Sequence, residues 1–211
     1  MTAVERKTCY GIVTQYNWHD ARWFAVIGFA PYLIAFAGMV TTNVSYFGWS
    51  FDIGSFLGLS PFIISEGMLM FAVYFIITML FFAGGIEWYV LCRHCPCYEH
   101  SGVEHDNEHR FYCVGNWGSP KLFKYKPGQI SRAGQATFLI FVGFFLFFPI
   151  LYYIDSWSFI LFQLTYAAIF ATTLRHWACA NCPNFGCVLN CVDEDSKEKF
   201  LKDLTEGKIY G

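Results

Sequence analysis

The sequence predicts an all-α integral membrane protein, with four transmembrane helices in two tandem hairpins related by a pseudo-two-fold repeat. Each hairpin is followed by a cytoplasmic cysteine-rich loop. Three observations predict this. Apolar residues collect in four long runs, the lysines and arginines are confined to three segments that leave 23–92 and 133–174 free of them, and one cysteine heptapeptide recurs after the second and fourth runs.

Composition sets the class. Of 211 residues, 55% are hydrophobic, 21% aromatic and only 14% charged, where a soluble domain carries about a quarter charged residues. The net charge of −2 supplies no basic field, so no nucleic-acid partner is expected.

Segment 1–22 carries Glu5, Arg6, Lys7, His19 and Asp20 and has no apolar core ending in a small-residue cleavage site. It is read as a cytoplasmic N-terminal segment without a secretory signal. The first hairpin covers 23–91, with spans 23–47 and 61–91, and the second covers 133–178, with spans 133–154 and 157–178. Each run reaches the roughly 20 residues that cross about 30 Å of hydrocarbon. The second run is long enough to tilt, and Gly84-Gly85 offers a bend. Only Asp155-Ser156 separates the third run from the fourth.

The 14 basic residues fall in 1–22, 93–132 and 175–211, which four crossings put on one side; the other side carries Asp52 and Asp155 and no basic residue. The excess of positive charge on the cytoplasmic side of membrane proteins orients both termini and the 92–132 loop toward the cytoplasm. Trp18, Trp23, Trp88 and Trp177 would belt that face, and Trp49 and Trp157 the other. The aromatic loop from Ser45 to Ser60 is expected to lie against the membrane interface or the bundle.

Span two ends in Cys92-Arg93-His94-Cys95-Pro96-Cys97-Tyr98, and span four in Cys179-Ala180-Asn181-Cys182-Pro183-Asn184-Phe185. Both fit C-x-x-C-P-x-aromatic, and both follow a hairpin, so the chain reads as a duplicated unit. A pseudo-two-fold axis along the membrane normal would bring the two knuckles together.

Eight of the nine cysteines form two sets, Cys92, Cys95, Cys97 and Cys113, then Cys179, Cys182, Cys187 and Cys191. Cytosolic thiols stay reduced, so a disulfide framework is disfavoured and metal binding is the expectation. Two iron–sulfur clusters or two structural zinc ions both suit tetrathiolate sets. The apolar residues between the thiols favour iron–sulfur by a small margin. Each set could hold its own metal, or Cys92 and Cys95 could join Cys179 and Cys182 across the axis.

Additional candidate ligands are His94, His105 and His109. Glu87, near the cytoplasmic end of span two, is a candidate quinone or proton site. Lys121, Lys124 and Lys126 alternate with Leu122, Phe123 and Tyr125, a pattern suited to anionic headgroups. The tail after Asp193 reads as a short amphipathic helix. The functional expectation is a membrane-anchored iron–sulfur electron-transfer subunit linking a cytoplasmic redox partner to quinone. The alternative is a zinc-stabilised scaffold or assembly subunit without its own chemistry. Lipid and protein partners in a membrane complex are expected in either case.

Overall fold

In the computed structural model, residues 7–42, 44–52, 63–100, 113 and 121–210 are described. Helix α1 (Trp18–Thr41) opens on a reciprocal cap. The Asn17 side chain accepts the Asp20 N–H at 2.8 Å, and the Asp20 carboxylate accepts the Asn17 N–H at 3.1 Å. This cap satisfies two of the orphan donors at a helix start. It explains why the helix begins at Trp18, ahead of the apolar run at Trp23. The run itself continues past the helix end, because Thr42 is extended and its hydroxyl turns back to the Gly38 carbonyl at 2.7 Å.

Helix α2 (Glu66–Phe82) starts at Ser65, which accepts the Met68 N–H at 3.3 Å. Gly84-Gly85 interrupts it, with Gly85 at φ +98°, a backbone conformation that favours glycine. Helix α3 (Ile86–Val90) continues the same span into a 3₁₀ turn at Cys92–His94 and helix α4 (Pro96–His100). Helix α5 (Arg132–Phe147) passes into a 3₁₀ turn at Phe148–Tyr152. Helix α6 (Trp157–Thr173) widens through a π turn at Leu174–Ala178 and then tightens into a 3₁₀ turn at Cys179–Asn181.

Four stretches are long and apolar enough to cross a membrane: Trp18–Thr41, Glu66–His94, Arg132–Tyr152 and Trp157–Asn181. At about 1.5 Å per residue, each matches or exceeds about 30 Å of hydrocarbon. Helix α1 packs on α2 and α6, α2 on α5, and α5 on α6. Tyr32, Ala35, Met39, Tyr74, Phe145 and Tyr153 fill the middle. The outside is apolar too: Leu33 is 71% and Ile140 68% exposed, a surface suited to lipid.

Pro149 creates a polar debt inside this bundle, and two side chains settle it. Proline has no N–H, so the Phe145 carbonyl four residues earlier loses its helical partner. Tyr74 Oη donates to that carbonyl at 2.8 Å. Gln163 Nε2 donates to the neighbouring Leu146 carbonyl at 2.7 Å, while its Oε1 accepts from Tyr153 Oη at 3.0 Å. In hydrocarbon no water could take these roles.

The two ends of the bundle differ. At one end, strands β3 (Ser50–Asp52) and β4 (Ile63–Ser65) pair antiparallel. There the Glu66 carboxylate accepts the Tyr46, Phe47 and Gly48 N–H groups at 2.9–3.0 Å and the Ser45 hydroxyl at 2.6 Å. At the other end, strands β1 (Lys7–Cys9) and β2 (Ile12–Gln15) form a hairpin. Its turn residues Tyr10 and Gly11 both have positive φ, 53° and 78°, as the favoured two-residue hairpin turn requires. Helix α7 (Glu194–Thr205) is capped by Asp193, which accepts the Ser196 N–H at 2.8 Å. Tyr10 Oη donates to Asp203, tying hairpin to helix.

Candidate functional site

The two C-x-x-C-P turns share one backbone. Leu91 and Ala178 precede them at φ/ψ of −114°/−57° and −100°/−56°. Cys95 and Cys182 follow at −94°/135° and −84°/128°. In each, a single 3₁₀ turn swings the chain off the helix end, and the proline that comes next cannot continue a helical hydrogen-bond ladder.

The turns are joined directly. Asn184 Nδ2 donates to the Leu91 carbonyl at 3.0 Å. Asn190 Nδ2 holds the second turn closed on the carbonyls of Cys182 at 2.8 Å and Asn184 at 3.1 Å. The Cys191 N–H reaches the Cys179 carbonyl at 3.1 Å. Gly186 lies against the Gly128 carbonyl, where a Cβ would sit 2.4 Å away. A glycine at 186 therefore lets the second knuckle sit on the 121–130 segment.

Cys95 and Cys97 are buried in one cluster with Ile12 of β2 and Phe200 of α7, and Cys9, Cys113 and Phe185 pack against it. All nine cysteines are free thiols. Cys97 is hydrogen-bonded to Cys95 and has Cys113 and Cys182 as neighbours. Cys182 has Cys95, Cys113 and Cys187 around it, and Cys92 has Cys113, Cys95 and Cys182, with Glu87 on its membrane side. Cys179 instead neighbours Cys187 and Cys191. The thiols therefore divide differently from the sequence order. Cys182 joins the group of Cys92, Cys95, Cys97 and Cys113, while Cys179, Cys187 and Cys191 form a smaller, more exposed group.

The electrostatics follow from burial. The hydrogen bond to Cys95, followed by burial, raises the Cys97 thiol well above the ordinary range. Burial, with Cys95 and Cys113 adding to it, does the same at Cys182. Burial raises Cys187 as well, opposed by the N–H groups of Leu189 and Asn190. Neighbouring thiolates repel one another in a medium of low polarity, and a bound cation reverses that preference. N–H groups already address two sulfurs, Asn184 to Cys182 at 3.4 Å and Leu189 to Cys187 at 3.5 Å. Such bonds are among those that tune metal thiolates. Among the described residues, no three Cys, His, Asp or Glu side chains are drawn close enough to hold a metal ion. In kind, however, adjacent free thiols in an apolar layer are the donors that soft cations take.

His94 is buried, with Arg93, Lys126 and Gly128 as its neighbours, and its Nδ1 has no hydrogen-bond partner. His105 and His109 lie outside the described residues. Cys9, absent from the eight thiols singled out by spacing, packs beside Cys95 and Cys97 through the β1–β2 hairpin. Its one sequence signal was the Tyr10-Gly11 turn after it. No family model matches this chain, and neither a curated protein nor a solved structure is found similar to it.

Proposed function

We propose that this chain is a membrane-anchored iron–sulfur electron-transfer subunit that links a cytoplasmic redox partner to the membrane quinone pool. The observation that carries the reading is the gathering of Cys92, Cys95, Cys97, Cys113 and Cys182. They come from three separate stretches of chain and are neighbours at one end of an apolar bundle, with Cys92, Cys95 and Cys97 buried and Cys113 and Cys182 half-buried. Thiolates from Cys95, Cys97, Cys113 and Cys182 would hold one centre, with Cys92 at its edge. Cys179, Cys187 and Cys191 would contribute to a second. A bound cluster would supply one-electron redox chemistry. The wrapping of Ile12, Phe185 and Phe200 would keep water from the sulfurs, and Glu87, beside Cys92, would be the proton-handling group on the membrane side.

The ring order of the four helices and the matched backbone of the two turns support a duplication with a pseudo-two-fold axis. The segregation of all 14 basic residues to three segments supports a cytoplasmic cysteine face.

A second reading is a zinc-stabilised scaffold. It is favoured by the position of Cys95 and Cys97 in the same core as Ile12 and Phe200, where a closed zinc site would lock both ends of the chain to the bundle. Anaerobic purification followed by metal analysis and electron paramagnetic resonance separates the two. Iron with acid-labile sulfide and a signal on reduction is expected. Stoichiometric zinc, without iron and without a signal, would replace the first reading with the second.

A further inference from the structure

Residues 121–126 alternate across the cysteine end of the bundle. Phe123 and Tyr125 turn inward, while Leu122, Lys124 and Lys126 are exposed, the two-residue period of an extended chain. The strap is fixed from beneath. The Phe123 N–H reaches Tyr98 Oη at 2.9 Å, and the Lys126 N–H reaches the Arg93 carbonyl at 2.9 Å. The Phe123 ring packs edge-on against Tyr89, with centroids 5.2 Å apart. Lys121 donates to the Glu99 carbonyl.

This attachment sets the strap on α3, whose Ile86 and Tyr89 are 40% and 48% exposed, and the strap's own Leu122 is 62% exposed. The Arg93 guanidinium lies 3.7 Å over the Tyr89 ring. Apolar side chains within a membrane-spanning stretch thus have Arg93 against them, and the strap packed on that stretch exposes Lys124 and Lys126. We propose that this strap binds the headgroup of an anionic phospholipid, with the phosphate at the Arg93, Lys124 and Lys126 corner and the acyl chains along Ile86, Tyr89 and Leu122. The inference does not depend on the metal centre proposed above. The charge, the apolar continuity with the span and the fixed backbone together favour lipid over a soluble acidic partner.

The test is lipid retention by the full chain in nanodiscs of equal phosphatidylglycerol and phosphatidylcholine, re-extracted and read by native mass spectrometry. Wild type should retain phosphatidylglycerol on the order of tenfold over phosphatidylcholine at low salt. K124Q/K126Q should approach parity, and K124R/K126R should keep the preference. Equal retention by wild type, or an unchanged preference in K124Q/K126Q, overturns the proposal. If K124Q/K126Q fails to fold, the salt series on wild type decides. The preference must fall as salt screens the lysines, and a salt-independent preference overturns the proposal.

Discussion

Asn184 Nδ2 donates to the Leu91 carbonyl at 3.0 Å, so the residue after the second knuckle's proline holds the residue before the first knuckle's opening cysteine. Asn184 is only 4% exposed, and this bond crosses 93 positions of sequence. It brings Cys182 among Cys95 and Cys113.

Asn184→Ala should therefore loosen the cysteine layer before it affects the bundle. The loss of one buried hydrogen bond costs about 1 kcal/mol. Alkylation of Cys182 should speed up, while the helical circular dichroism stays at the wild-type value. Unchanged thiol protection would show that the knuckles meet without this bond.

Tyr74→Phe should destabilise the bundle by about 1 kcal/mol, within the range for hydrogen bonds between membrane helices. The cost arises because Pro149 leaves the Phe145 carbonyl without its helical donor. In a Pro149→Ala background the new N–H can serve that carbonyl, and the cost of Tyr74→Phe should shrink. SDS unfolding of the four proteins in this cycle measures the coupling. An identical cost in both backgrounds would contradict the link.

Close helix contact rests on two glycines. A Cβ at Gly67 would lie 1.8 Å from the Met39 carbonyl oxygen, and one at Gly38 would lie 2.4 Å from the Tyr153 ring. Gly67→Ala has only backbone to push against, so it should prevent the α1–α2 contact and abolish folding. Gly28 has nothing within 4 Å, and Gly28→Ala should be tolerated or add up to about 1 kcal/mol through helix propensity.

Stability should respond to pH in opposite directions with and without metal. A hydrogen bond to Cys95 and burial raise Cys97, and burial with its sulfur neighbours raises Cys182, so the metal-free folded state binds their protons more tightly than the unfolded chain. That contribution is intact below the ordinary thiol pKa of about 8.5 and is lost as pH rises past it toward the folded values. Metal binding expels the same protons, so stabilisation by metal should grow from about pH 6 to about pH 8. Melting curves of the metal-bound form from about pH 6 to about pH 8, and of the metal-free form above about pH 8.5, check the two slopes.

The four apolar helices were legible because each span is a long apolar run and the basic residues mark its flanks. The helix start at Trp18 was less legible, since Asn17 and Asp20 act through a local cap that hydropathy does not register. The β1–β2 hairpin is not legible in the sequence because it is short, and because Ile12 and Val13 are both buried, without the in-and-out alternation of a simple strand. The heptapeptides pointed to the two knuckles. Which thiols meet was not legible, because Cys182 is drawn toward Cys95 and Cys113 by Asn184, whose partner Leu91 lies 93 positions away. Likewise, Tyr74 and Gln163 gave no sign that they answer Pro149, since that relation exists only once the helices pack.

X-ray absorption at the metal edge of anaerobically purified protein tests the central claim most directly. A thiolate centre shared between the knuckles predicts a sulfur shell near 2.3 Å that is diminished in both Cys95→Ser and Cys182→Ser. Metal-free protein with nine titratable thiols, or a sulfur shell that survives Cys182→Ser intact, would contradict it.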